Sequence, residues 1–316
     1  MGKKDVETVK YTSRNDVVAD IINCAFCNGE HIVDERDISE YDGRENIMIP
    51  YVNDSNFKHI QKFRDVLKKV HLKGLDFVAN IVIGIEDQSN IHYAIPVKNN
   101  LYDAINYASQ VEQIAKIHRK NKDIFGNEFL SGFKKTDKII PVITIVVYFG
   151  VENKWDGPLS LKEMMDLSNI PAEMVAAIPD YKVQLLQPCA ISDELLNSAR
   201  SDFGRMMRLL KQRALNKNLE GIINKQKPYF LSKEAVAIVK SFTGFEITEK
   251  SEKEGVIDMS DEVLRIEARG EAKGVAKQLI VCIENVMKSL QCTLEEACAA
   301  VGSTVEAYNE AKCLEK

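Results

Sequence analysis

"IVIGIEDQS", residues 81–89, decides how this chain is read. Ile81, Val82, Ile83 and Ile85 favour a buried strand, yet the run ends by delivering Glu86, Asp87 and Gln88. Burying an unpaired acid costs on the order of several kcal/mol, so such a strand must end in water or meet a compensating group. That group is a basic side chain, a backbone cap or a metal ion. Upstream, "FRDVLKKV" (63–70) is a second β-like run, joined to "DFVANIVIGIEDQ" (76–88) by a short connection containing Gly74. The two read as an antiparallel pair.

Side chains alternate along a strand, so Glu86 and Gln88 share one face and Asp87 takes the other. Antiparallel pairing brings Asp65, near the start of one strand, alongside Glu86, near the end of the other. Two carboxylates so placed repel unless a cation sits between them. An oxygen-rich pair suits Mg²⁺ or Mn²⁺, which keep several waters and accept substrate phosphate as a further ligand. Asp20, on the first helix, is a candidate third acid. Gln88 is placed to align a water or a phosphate oxygen but brings no positive charge. The same residues also allow a metal-free reading, in which Arg64 or a lysine pairs with the acids at the strand end.

Working outward, "NDVVADIINCAFCN" (15–28) shows a helical stripe, with Asn15 or Asp16 as N-cap and Gly29 as the stop. The stretch 30–58 is acidic and polar, with "YDGREN" as a turn signal. After Pro96, "NNLYDAINYASQVEQIAKIHRKNK" reads as a helix with Leu101, Ile105, Ala108 and Val111 on one face. "KIIPVITIVVYFG" (138–150) is nearly all apolar, the pattern of a central strand covered on both faces. A "WDGP" turn (155–158) leads into a helix with a Ser160–Glu163 capping box, and "YKVQLLQP" (181–188) is a further strand. Helices follow over 193–218, 232–242 and 259–291, the last interrupted by Gly270 and Gly274. Two short helices complete the chain, with capping boxes at Thr293–Glu296 and Ser303–Glu306 and a stop at Gly302.

Composition is that of a globular protein: 316 residues, 45% hydrophobic, 28% charged, with a net charge of −5. No stretch of about 18 apolar residues is present, so no membrane span is expected. "MGKKDVETVK" has no apolar core of a secretory signal, and a cytoplasmic protein is expected. Seven cysteines at irregular spacing do not form a disulfide scaffold, and Cys24 and Cys27 read as a helical, partly buried pair rather than half of a zinc site. Charge is uneven along the chain. Residues 56–140 carry fourteen Lys/Arg against nine Asp/Glu, whereas residues 1–55 carry six against twelve. The central segment is therefore the one suited to phosphates.

Arg64-Asp65-Val66, Ile85-Glu86-Asp87-Gln88-Ser89, Ile95-Pro96-Val97-Lys98 and Tyr102 together resemble the PD-(D/E)xK nuclease-family transposases, also called recombination-promoting nucleases (Rpn, YhgA-like). The likeness continues through "LSGFKKTDKIIPVITIVVYFG" and "WDGPLSL" and covers roughly residues 15–210. It implies an α/β, restriction-endonuclease-like core: a central mixed sheet flanked by helices, with the acids at one edge, followed by a helical C-terminal region. The implied layout is a nuclease-like domain over 1–215, a helical connector over 216–258, and a helical tail over 259–316 suited to homodimerisation. By the resemblance, Asp65 and Glu86 are metal ligands for Mg²⁺ or Mn²⁺, and Asp20 is the helix acid. Gln88 stands where the wider superfamily has lysine, which puts catalytic vigour in doubt. Lys98 is a phosphate contact and Tyr102 is structural, while Lys134 and Lys135 of "GFKKTDK" are nucleic-acid contacts. The implied activity is a DNA endonuclease of low sequence specificity, tied to recombination, mobile elements or phage defence. The alternative is a catalytically weak or inactive nuclease fold that binds DNA or a protein partner.

Overall fold

The computed structural model describes residues 3–41, 65–73, 78–215, 229–245, 247, 252–253 and 255–315. The strand built from residues 81–89 is the spine of the first of two compact units, which comprises Met1–Lys217 and Leu231–Gly244. Its five-stranded mixed sheet runs β1 (Ile38–Glu40), β2 (Val66–Lys73), β3 (Val78–Gln88), β4 (Val142–Tyr148), β5 (Gln184–Leu186) in spatial order. β2 pairs antiparallel with both β1 and β3, β4 pairs parallel with β3, and β5 pairs parallel with β4. The expected hairpin is present, with Val66 opposite Ile85 and Lys73 opposite Val78. Phe63 and Arg64 lie outside the described residues, as does "DGREN" at 42–46.

The parallel step from β3 to β4 needs a crossover, which α3 (Ile95–Asn121) provides. Pro96 occupies the first turn of α3, where its missing N–H costs nothing, so the helix starts four residues before the Asn99 anticipated from its stripe. α3 is pinned to the sheet by polar contacts. Thr144 Oγ1 donates to Asp103 at 2.7 Å, and the Gln110 amide donates to the Ile140 carbonyl at 3.0 Å and accepts from its N–H at 2.7 Å. Because β4 is covered on both faces, Ile145, Val146 and Val147 are fully buried, as its apolar run implies. The acids, however, are on no edge strand. They sit at the carboxyl end of β3, the sheet's middle strand.

α1 (Lys3–Thr12) and α2 (Asn15–Phe26) precede the sheet. α1 is not evident from its charged sequence, and it is held by hydrogen bonds rather than by an apolar stripe. Tyr11 Oη, fully buried, donates to Asp202 Oδ1 at 2.9 Å, and Asp202 Oδ2 accepts from Ser232 N (2.8 Å) and Oγ (2.6 Å). α2 is capped by neither Asn15 nor Asp16. Arg14 is the N-cap, Asn15 Nδ2 reaches the Ile38 carbonyl, and Asp16 pairs with Arg14. Gly29, at φ +81°, turns the chain out of the helix as expected. Cys24 is buried near the end of α2 and Cys27 caps it; burial pushes the Cys24 thiol up to about 12.

Three helices depart from their sequence pattern. The Ser160–Glu163 box forms only in half, since Ser160 Oγ accepts from Glu163 N but Glu163 Oε2 accepts from Leu159 N, and only a 3-10 turn over Lys162–Met164 follows; the short α4 (Gly126–Ser131) and α5 (Ala172–Ala177) lie elsewhere in the chain. The run from 193 breaks into α6 (Asp193–Ser198) and α7 (Phe203–Ala214), and its last residues, 216–218, lie outside the described set. Gly204 explains the tightness of that break, since a Cβ there would lie 2.0 Å from the Leu196 carbonyl oxygen. α8 (Lys233–Thr243), placed in a connector by sequence, belongs to the first unit, with Ser232 as its N-cap.

The second unit comprises Asn218–Phe230 and Phe245–Lys316. Its main element, α9 (Ser260–Leu290), continues through Gly270 and Gly274, both of which face open space. α10 (Leu294–Ala300) packs on it through Ala297 and Cys298 against Ile283, and α11 (Val305–Glu315) through Ala311 against Ala276 and Ile280. The Thr293–Glu296 box is present and Gly302 follows α10 at φ +71°, but α11 is capped by Thr304 rather than Ser303.

Candidate active site

The end of β3 distributes its three polar side chains between two sides of the sheet. Glu86, 1% exposed, meets α3: Lys98 Nζ lies 2.6 Å from its Oε2. Asp87 meets α1, where Thr12 Oγ1 donates to its Oδ2 at 2.7 Å. The expected alternation is thus seen directly. Asp65, one residue before β2, reaches this end of β3, and its Oδ2 accepts the Asp87 backbone N–H at 3.0 Å. A cavity of about 270 Å³ opens here, lined among others by Asp65, Asp87, Gln88, His92 and Lys98.

Each carboxylate has a different electrostatic setting. Burial pushes the Asp87 carboxyl well above the usual carboxylate range; the Thr12 hydroxyl opposes this, while the charges of Asp65 and Glu86 add to it. Glu86 is also buried but has an ammonium against it, and the Lys98 side chain is 25% exposed. Lys98 also stands 5.6 Å from the centre of the Tyr102 ring, which is buried and structural. Tyr148, opposite Gln88 in the register, and Trp155 back the neighbouring strand in an edge-on contact.

The cavity therefore gathers Asp65, Gln88 and Lys98, with Glu86 tied to it through the Lys98 ammonium and not part of its lining, and it leaves out three residues expected to serve it. Asp20 lines a different cavity, and both its oxygens are occupied. Arg200 N, Ser201 N and Ser201 Oγ donate to them, so Asp20 holds the break between α6 and α7. Lys134 and Lys135 belong to the far end of α3: Lys134 Nζ pairs with Asp123 at 2.7 Å, and Lys135 N donates to Glu128. Twenty residues of α3 separate Lys98 from His118 beside that loop, roughly 30 Å at the helical rise.

The donors fit a hard divalent cation in kind, being carboxylate and amide oxygens, and the Lys98 ammonium shows that positive charge is already accommodated against Glu86. They do not form a closed cage. Among the described residues, no group of three or more His, Cys, Asp or Glu is placed to hold a metal ion. Two carboxylates, with waters and a phosphate completing the shell, remain a normal arrangement for Mg²⁺. No described helix is long and apolar enough to cross a membrane. Comparison with known proteins adds no relative to this picture: no family model, no curated protein and no solved structure matches the chain.

Sequence reasoning missed one member of the site, Thr12, and named Lys98 without fixing Glu86 as its partner. Thr12 carries no signal, because nothing local ties a threonine on a charged helix to a strand 75 residues away. The pairing of Lys98 with Glu86 did leave a trace. A lysine in the first turn of a helix with no acid there opposes the helix dipole and asks for a partner outside the helix.

Proposed function

We propose that the chain is a Mg²⁺- or Mn²⁺-dependent nuclease that hydrolyses DNA phosphodiesters with low sequence specificity. The proposed fold is a restriction-endonuclease-like core, which the mixed sheet flanked by helices supports. The reading is carried by one observation: Asp65 reaches the end of β3 within hydrogen-bond distance of the Glu86-Asp87-Gln88 segment, in a cavity that also holds Lys98. Asp65 and Glu86 would hold the ion. When bound, it supplies a water of lowered pKa and offsets charge growing on the phosphate. Gln88 orients that water or a phosphate oxygen through its amide. Asp20, Lys134 and Lys135 take no part in the chemistry; the two lysines extend the DNA-binding surface along α3.

The test is nicking of supercoiled plasmid with Mg²⁺, Mn²⁺ or EDTA, beside Asp65→Ala and Glu86→Ala. Metal-dependent nicking lost in both variants is expected, and full activity in either would exclude this mechanism. A second reading is favoured by the Lys98–Glu86 pair, which neutralises the buried acid without a metal: a nuclease fold that binds DNA or a protein and does not cut. Duplex binding that is unchanged by EDTA and by Asp65→Ala would select it. Val275 and Val281, exposed on α9, support homodimerisation through the second unit. Sizing chromatography over a concentration series, with and without residues after about 255, checks this.

A further inference from the structure

The far end of α3 exposes apolar side chains that the cavity at its near end does not use. Leu130 and Phe125 are 84% and 78% exposed, the highest values for large hydrophobic residues among those described, and Phe129 beside them is 65% exposed. We propose that the groove between α4 and the last turn of α3 is a docking site for an acidic amphipathic helix of a partner protein. This inference is independent of the nuclease reading and needs neither metal nor DNA.

The groove is built by a reversal of the chain. Lys122 ends α3 in the left-handed conformation, at φ +55°, and α4 runs from Gly126 to Ser131. Gly132, at φ +70°, then presses the end of α4 onto α3, since a Cβ there would stand 2.7 Å from the Ala115 Cβ. The cavity so enclosed measures about 720 Å³, with buried Ile124 and His118 in its lining and Phe125, Phe129 and Leu130 along one side. Its shape is held without a partner. His118 bridges Asp123 and Asp137 at 2.8 and 2.9 Å, and Lys134 Nζ holds Asp123 at 2.7 Å. A groove fixed in advance loses little entropy when it is filled.

Charge selects the occupant. Arg119 and Lys122 line the groove, Lys120 is exposed beside them, and among the described residues none of the three makes a salt bridge. The neighbouring acids are already engaged: Asp123 and Asp137 by His118, and Glu128 by the Lys135 N–H. The face is therefore a positive rim around an apolar centre, and it complements carboxylates flanking an apolar stripe. A nucleic-acid backbone would satisfy the cations but has no apolar face to cover Leu130. Residues at i, i+3, i+4 and i+7 of an amphipathic helix cover such a groove, and its acids then meet Arg119 and Lys122. Clustered apolar exposure with a polar rim is the mark of a protein interface.

The probe is a fluorescein-labelled synthetic peptide of roughly four helical turns, with Leu and Phe on one face and Glu elsewhere. It is titrated into the full chain in EDTA without DNA, beside a peptide with Lys at every Glu position, and anisotropy is read. The acidic peptide is expected to saturate, at least about 10-fold more tightly than its lysine counterpart, and to weaken with salt. Phe129→Ser with Leu130→Ser should weaken it about 10-fold or more. Arg119→Glu with Lys122→Glu should do the same and flatten the salt dependence. Should the serine variant fail to fold, the charge variant, altered only at exposed positions, carries the test. Asp65→Ala should bind as the unaltered chain does, and nicking-inactive protein that binds the acidic peptide leaves this inference intact. Absence of saturation up to about 1 mM, equal binding of the two peptides, or unchanged binding in both groove variants would overturn it. So would tighter binding of a fluorescent oligothymidylate that is lost in the same variants, which would make the face a base-stacking platform.

Discussion

The two ends of α3 carry the same kinds of charged groups in opposite surroundings. At its start, the Lys98–Glu86 pair is formed around a carboxylate that is 1% exposed. At its end, His118 Nδ1 meets Asp123 at 2.8 Å and Nε2 meets Asp137 at 2.9 Å, while Lys134 holds both acids through its ammonium and its N–H. The far cluster is redundant and close to water, so any one contact there is worth little. The near pair differs in burial: a carboxylate that is 1% exposed and loses the Lys98 ammonium keeps its charge where water solvates it poorly. The far cluster straps a loop into place; the near pair holds electrostatic energy where chemistry is proposed.

The sharpest way to break the contrast is to remove one partner of the near pair. Glu86→Ala is expected to destabilise the first unit by about 3 kcal/mol in urea melts, the low end for a buried pair because Lys98 is partly solvated. Glu86→Gln combined with Lys98→Met should recover much of that loss. Equal losses in the single and double variants would show that the pair contributes packing rather than charge balance.

Asp87 provides the next test, with the opposite sign. Its carboxyl titrates well above the unfolded value, so folding is penalised increasingly as pH rises beyond the ordinary aspartate range. Asp87→Asn should therefore raise the melting temperature at pH 7–8 and should lose this advantage near pH 4. Stabilisation that persists unchanged at pH 4 would rule out the charge as its cause.

At the far end the effect is smaller, and removing the group costs most at low pH. Hydrogen bonds to Asp123 and then to Asp137 raise the His118 pKa above the ordinary histidine value. Its stabilisation is complete below the unfolded pKa and fades as pH rises through the folded one. His118→Gln should thus lower the melting temperature more at pH 6 than at pH 9. Smallest of all, Lys135→Ala, whose side chain is exposed, should change stability by no more than about 0.5 kcal/mol while weakening duplex binding at low salt.

This contrast also marks what could be read in the sequence. The hairpin of β2 and β3, the strand at 142–148 and the helix between them follow from period-2 and period-3.6 patterns, which local burial enforces. The opposed directions of Glu86 and Asp87 follow from the same pleat. What the pattern does not hold is the identity of distant partners. Asp20 looked like a site acid because it lies on an early helix, and only the fold reveals that it caps amides 180 residues later. α1 was invisible because its anchors, Tyr11 and Thr12, bind through hydroxyls rather than through apolar periodicity. The break between α6 and α7 rests on Gly204 lying against the Leu196 carbonyl, a close approach that no helix propensity announces.

The tie between Tyr11 and Asp202 reaches beyond the helix it anchors. Because Asp202 also grips Ser232, the opening helix, the start of α7 and the cap of α8 share one carboxylate, and the same helix presses Thr12 onto Asp87. Trimming the chain's first thirteen residues, or crowding them with a rigid fusion, would therefore unseat the underside of the cavity before it disturbed any strand. A shortened protein would be expected to keep its sheet and lose its grip on whatever the cavity holds.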